Sequence, residues 1–134
     1  MIKTLYIETS KGSFVKRNED LGVDFVSPLP CPFNYGHIKG EVGGDGDPLD
    51  GVLLGATQPS GVEISARVVG CVRFLDSGEV DDKWILKEHG SITKGEKIVL
   101  WSFFHSYALL KRLSAPIRGA SGQSKVLGIE YTQQ

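Results

Sequence analysis

The sequence predicts a mainly β (α+β) fold, a small barrel with one principal helix near the C-terminus. Three observations lead there. Short β-rich runs recur along most of the chain and are punctuated by Gly, Pro and Asp. One stretch alone, from about residue 94 to 113, carries both helix-start and helix-stop signals. Strands this short and this numerous close most readily into a barrel.

Residues 3–9 (KTLYIET) and 12–17 (GSFVKR) read as two strands of a hairpin, joined at Ser10-Lys11-Gly12. A third strand is expected at 22–26 (GVDFV). SPLPCPFNYGHI follows, and its prolines at 28, 30 and 32 argue for an ordered, extended loop instead of a central strand. VLLGA (52–56) reads as a short buried strand. VEISARVVGCVRFL (62–75) reads as one long strand bent at Gly70, and KWILK (83–87) as another. The helix begins with Thr93 and Glu96 in capping-box spacing and ends near Lys111 and Arg112, which complement its dipole. Its apolar residues cover more than one stripe, so the domain or a second subunit must cover several faces. SKVLGIEY (124–131) closes the chain as a strand.

The 134 residues suit one domain, 1–134, with a core of useful size. Fifteen basic and sixteen acidic side chains leave a net charge of −1, which disfavours a nucleic-acid partner bound through a basic surface. No apolar run approaches the roughly 20 residues that span a bilayer, so no membrane partner is expected. MIKTLYIETSKGSF lacks the apolar core of a signal peptide. Cys31 and Cys71 are too few for a disulfide framework. A cytoplasmic protein is the expectation.

The chemistry concentrates in GGDGDPLDGVLLG (43–55), where Asp45, Asp47 and Asp50 fall within six positions. Like charges this close disfavour one another's ionisation unless a cation sits among them. Oxygen-only donors on a tight turn suit Mg²⁺, Mn²⁺ or Ca²⁺ better than zinc. An EF-hand does not fit: with Asp45 at position 1, Asp50 stands where glycine belongs and Ala56 where glutamate belongs. No phosphate-binding GxxxxGK[ST] loop, zinc-spaced histidine set or GxSxG nucleophile occurs. His37, His89 and His105 read as surface or structural residues. A second acidic run, DSGEVDDKW (76–84), reads as a polar β-turn whose strand could bring Asp76 and Asp81 beside the first cluster.

NYGHIKGEVGGDGDPLDGVLLG (34–55) resembles the signature region of the family I (soluble) inorganic pyrophosphatases, a D-G-D-P-x-D core preceded by tyrosine in an N-Y-G context. The likeness continues through VGCVRFLDSGEVDDK and covers most of residues 1–83. It implies an OB-like five-stranded barrel, usually assembled as a homo-oligomer. It also implies Mg²⁺-dependent hydrolysis of pyrophosphate to two phosphates, with Mn²⁺ as a second acceptable ion. Asp45, Asp50 and Asp81 would hold the ions, Asp76 would join Asp81 at a further one, and Glu8 would act as an outer carboxylate. Asp47 would be the general base for a metal-activated water. Lys16, Tyr35 and Tyr107 would contact phosphate, and Lys83 would pair with the second acidic segment near the substrate.

The sequence departs from that family where phosphate is held. A glutamate expected two residues after Lys16 is Asn18, an arginine expected around 23–26 is absent, an upstream tyrosine is Cys31, and the lysine expected after Tyr107 is Ala108. An extra helical region between Lys83 and Phe103 and a long C-terminal helix are also missing. Each charge-assisted contact contributes roughly 1.5–3 kcal/mol, so two lost cations would cost about 10²- to 10⁴-fold in kcat/KM. The alternative is therefore a weakened or inactive homologue that binds metal and a phosphorylated ligand.

Overall fold

The structure, a computed structural model, describes residues 1–17, 20–26, 30–119 and 122–132. Its strands are β1 (Ile2–Thr9), β2 (Val15–Arg17), β3 (Val23–Val26), β4 (Asn34–Val42), β5 (Pro48–Leu54), β6 (Glu63–Asp76), β7 (Glu79–Val80), β8 (Lys83–Lys87) and β9 (Lys125–Tyr131), with one long helix, α1 (Lys94–Arg118), between β8 and β9. Five strands run in the order β1-β4-β5-β8-β6, and β6 pairs back onto β1, so the sheet closes. Leu5 at the seam faces Ile38 of β4 on one side and Ile64 of β6 on the other. β9 extends the wall by pairing with β6. The expected fold class is what the chain adopts.

Strand alternation explains why there are two cores. Val52 and Ile85 point to one face of the wall while their neighbours Leu53 and Leu86 point to the other. Leu5, Ile7, Ile38, Leu49, Leu53, Ala66 and Leu86 make one buried cluster. Tyr35, Val52, Val72, Phe74 and Ile85 make a second with Leu100, Phe104 and Ala108 of the helix. The helix therefore seals one outer face of the barrel, along a stripe spaced at i, i+4 and i+8.

Three expectations need correction. The first two strands do not form a hairpin: β1 pairs with β4 and β6, and the three-residue β2 pairs with β3. The prolines end at residue 32, so the presumed loop stops there, and Asn34–Val42 is a barrel strand. The strand expected at 52–56 begins at Pro48, which places Asp50 inside it. Pro28 and Asn18 lie outside the described residues.

Other expectations hold. β6 is one long strand, irregular against β8 between Val68 and Gly70. The capping box is formed: the Glu96 N–H donates to Thr93 Oγ1 at 3.1 Å and the Thr93 N–H to Glu96 Oε1 at 2.9 Å. The helix runs past residue 113 to Arg118 and stops at Gly119, whose φ of 66° is the left-handed cap that glycine favours. Only one stripe of the helix is covered. Ile98, Trp101, Leu113 and Ile117 remain exposed, Ile117 at 89%.

Candidate active site

The two acidic segments meet at one end of the layer between barrel and helix. Asp50 and Lys83 are register partners on the parallel strands β5 and β8, so their side chains rise side by side. Lys83 Nζ donates to Asp50 Oδ2 at 2.8 Å and lies 2.6 Å from Asp81 Oδ2, with its side chain only 1% exposed. One buried ammonium thus joins a carboxylate from each acidic run. Tyr35 pairs with Val52, two residues from Asp50, and from that diagonal position its hydroxyl donates to Asp50 Oδ2 at 2.9 Å.

Electrostatics follow from this sharing. Burial works to raise the Asp50 carboxyl, but the charge and hydrogen bond of Lys83, the charge of Lys16 and the Tyr35 hydrogen bond outweigh it and hold Asp50 low. Asp81 goes the other way. Burial and the charges of Asp50 and Asp45 exceed what Lys83 returns, so its carboxyl is raised. For Lys83, burial alone would favour the neutral amine; the charges of Asp50 and Asp81 reverse this and hold it firmly protonated. Burial, with the Asp50 charge, raises the Tyr35 hydroxyl and keeps it a phenol donor.

The turn before Asp50 is tied to the second run by close packing. A Cβ at Gly44 would lie 3.2 Å from Val80 Cβ, so the two segments abut where a side chain would separate them. Gly46 takes φ +86°, a conformation other residues adopt only with strain. The Asp45 carboxylate accepts the Asp47 N–H at 3.1 Å, which fixes the turn. Asp47 itself is exposed.

Other expected residues lie around this centre. At Glu8 the pairing of β1 with β4 shifts register, from Ile7–Gly36 to Thr9–Tyr35, leaving Glu8 as the extra residue of a bulge. Bulges re-aim side chains, and Glu8 is buried against His37, Nδ1 to Oε2 2.7 Å. Burial raises its carboxyl despite that hydrogen bond. Lys16 Nζ lies 5.3 Å from the centroid of the Tyr35 ring, within cation–π range. Asp76, at the end of β6, enters the two-residue turn Ser77-Gly78, where both residues have positive φ, as hairpin turns require. Tyr107 packs its ring against Phe74 and Phe103.

The structure therefore draws Asp50, Asp81, Lys83 and Tyr35 into direct contact. Asp45 stands close enough to Asp81 to raise it. It does not gather five aspartates at a point: Asp47 faces solvent, and Asp76 pairs with Lys111 at 2.9 Å. Among the described residues no three carboxylate, imidazole or thiol groups converge on one position. Such a donor set still fits Mg²⁺, which is held by one or two carboxylates and keeps several waters. Two carboxylates bridged by one buried ammonium, with the Asp45 charge beside Asp81, are also an arrangement that added cations relieve.

Two residues escaped the sequence reading. His37 supports Glu8, and its signal was the strand parity it shares with Tyr35. Lys111 sits four residues after Tyr107, and its signal was helical periodicity. Arg17, the nearest arginine to the Lys16 region, donates to the Leu21 carbonyl at 3.0 Å. Ala108 is 1% exposed within the helix–barrel core, so packing closes the place where a lysine was expected.

Fold and site together define a small closed-barrel protein with a lysine-bridged cluster of carboxylates on its helix-covered face. The family described as inorganic pyrophosphatase matches residues 5–124. The chain belongs to that family. An inorganic pyrophosphatase from Neisseria meningitidis serogroup A is 54% identical over 65 residues, which are 46% of this chain and 36% of the relative. One from Nostoc is 28% identical over 125 residues, 82% of this chain and 73% of the relative. The solved inorganic pyrophosphatase of Thermus thermophilus superposes with TM-score 0.79 at 28% identity, covering 97% of this chain and 82% of that one. The match thus spans little more than a third of the length of the meningococcal relative.

Proposed function

We propose that the chain hydrolyses inorganic pyrophosphate to two phosphates with the help of Mg²⁺, or Mn²⁺ in its place. The single observation that carries this reading is the Asp50–Lys83–Asp81 crossing, which joins the two acidic segments in one buried site. Its support from relatedness is the match over residues 5–124, which also favours reading 1–134 as one pyrophosphatase-like domain.

In this reading Asp45, Asp50 and Asp81 hold the ions, with Asp76 and Glu8 as further carboxylates. Bound divalent ions supply charge neutralisation and a more acidic water. The chain's own residues do the rest. Asp47, which makes no ion pair among the described residues and sits on a stiff turn, takes the proton of the attacking water. The ammonium groups of Lys83 and Lys16 and the hydroxyls of Tyr35 and Tyr107 donate to phosphate oxygens, orient them and stabilise charge on the departing group. The phenols serve because burial keeps Tyr35 protonated. The buried packing around Phe74 and Phe104 keeps bulk water from the inner side of the site.

Phosphate release from pyrophosphate, with Mg²⁺ and an Asp47→Asn control, tests the reading. Release that depends on the ion and on Asp47 supports it. Release no greater than that of the control removes it. A second reading, a weakened or inactive homologue binding metal and a phosphorylated ligand, is favoured by the buried Ala108. Calorimetry showing ligand binding without turnover would select it.

A homo-oligomer is part of the same proposal. Its support is the exposed apolar side of α1: Ile98 and Trp101 line a groove against β9 with Lys97, His105 and Tyr131, and Leu113 is exposed farther along the helix. Sedimentation of Trp101→Glu should give a smaller species than the parent chain. No described helix is long and apolar enough to cross a membrane. The cytoplasmic setting rests on the two unpaired cysteines, which fit a reducing compartment.

A further inference from the structure

We propose that Lys111 is a substrate-binding residue, the phosphate-holding cation that the helix supplies one turn beyond Tyr107. The inference deepens the pyrophosphatase reading and rests on it. Position 108, directly after Tyr107, faces the core, where Ala108 is 1% exposed against the barrel wall. A lysine there would have to bury its ammonium in the apolar cluster of Phe33, Val72 and Phe104. Position 111 lies four residues after Tyr107 and so shares its side of the helix. Lys111 Nζ sits 5.3 Å from the Tyr107 ring centroid and 2.9 Å from Asp76 Oδ2.

That location is continuous with the site. Lys111 reaches from the helix to Asp76, which ends β6 at the turn into the second acidic run. The Phe74 ring joins the two sides: its centroid lies 5.7 Å from that of Tyr107 and 5.5 Å from Lys83 Nζ. Lys83, Asp76, Tyr107 and Lys111 form one connected group at the helix edge of the acidic cluster. Lys111 keeps 22% of its side chain exposed, so its ammonium can reach a polyanion arriving from solvent. A lysine on four methylenes is well suited to this, because it offers a mobile point charge with three donors. The cation thus comes to the helix edge by a different residue and a longer reach.

Binding of pyrophosphate to the full chain in chelator-containing buffer, followed by calorimetry, tests this apart from turnover. Lys111→Met should weaken binding roughly tenfold to a hundredfold, the share of one charge-assisted contact, and Lys111→Arg should restore most of it. Asp76→Asn separates substrate binding from a merely structural ion pair. Without the Asp76 charge beside it, Lys111 should bind pyrophosphate at least as well as in the parent chain. With Mg²⁺ present, Lys111→Met should raise KM by more than it lowers kcat. Methionine is a good helix former, and Lys111→Gln serves as the second variant should melting show Lys111→Met loosened. Unchanged binding in both neutral variants, equal loss in Lys111→Met and Asp76→Asn, or no binding by the parent chain overturns the inference. A parent chain that binds pyrophosphate through Lys111 yet releases no phosphate overturns the hydrolytic reading and leaves this one standing.

Discussion

Asp50 and Asp47 are three residues apart, yet they belong to different kinds of structure. Asp50 sits in register on a barrel strand, with Tyr35 and Lys83 both hydrogen-bonded to Oδ2. Asp47 sits on the turn, exposed, its backbone N–H donating to Asp45 Oδ1 and its carbonyl accepting the Gly43 N–H, while its carboxylate faces solvent. The difference teaches how the site divides its labour. Groups on strands have few degrees of freedom and can fix a geometry at little further entropic cost. A group on the turn pays no desolvation and can exchange protons with water. A site built wholly from either kind would be poorly placed or too inert.

The largest effect should come from breaking the buried crossing. Lys83→Met leaves Asp50 and Asp81 without the ammonium that bridges them, and removing one partner of a buried ion pair costs roughly 3 kcal/mol or more. Urea unfolding should show that loss, and Mg²⁺ should return part of it by binding the folded state alone. A variant as stable as the parent would mean that the crossing is decorative. Asp47→Asn is the counterpart on the turn. It should lower kcat about 10²- to 10⁴-fold, the range of a positioned base, while leaving stability within about 0.5 kcal/mol, as for ordinary surface changes. Equal effects of the two substitutions on stability would erase the distinction between strand and turn.

A pH experiment sharpens the same contrast. Asp76 is held below its ordinary value by Lys111 against the opposing effect of burial. A carboxyl depressed in the folded state contributes stability above its unfolded value, near 3.8, and loses it as pH falls through the folded value. Between about pH 5 and pH 2, stability of the parent chain should therefore fall faster than that of Asp76→Asn, by at most one proton's slope, about 1.4 kcal/mol per pH unit. Parallel curves would remove the Asp76–Lys111 pair as a source of stability.

How much of this was legible in the sequence depended on whether local signals were in charge. The helix start was legible because Thr93 and Glu96 form a cap within four residues. A turn within 76–84 was legible because polar residues there lie between β-rich runs, but the structure confines it to Ser77-Gly78 and pairs Glu79–Val80 as a strand. Asn34–Val42 was missed because the prolines before it dominate the local pattern, while its pairing with β1 and β5 is set far away in sequence. The same holds for β1, whose partner across the seam is β6, some sixty residues on. In the site, the aspartates announced themselves by density. The Asp50–Lys83 pairing needed the parallel register of β5 and β8, which no local pattern encodes. Lys111 was hidden for a related reason: a position-by-position likeness looks at Ala108, and only the helix turn brings residue 111 to the same side.

The smallest predicted effect concerns the element that carries Tyr107 and Lys111 to the site. Thr93→Ala removes one half of the capping box and should cost about 1 kcal/mol of stability. The helix stripe of Leu100, Phe104 and Ala108 remains packed on the barrel, so its register should not move. Tyr107 lies almost four turns from the cap, and end fraying at Thr93 would not reach it. Chemical unfolding should therefore show the loss while KM for pyrophosphate stays at the parent value. A change in KM with the same loss of stability would place the whole helix, instead of the barrel strands, in control of phosphate-site geometry. That outcome would reverse the ranking drawn between fixed strands and movable edges.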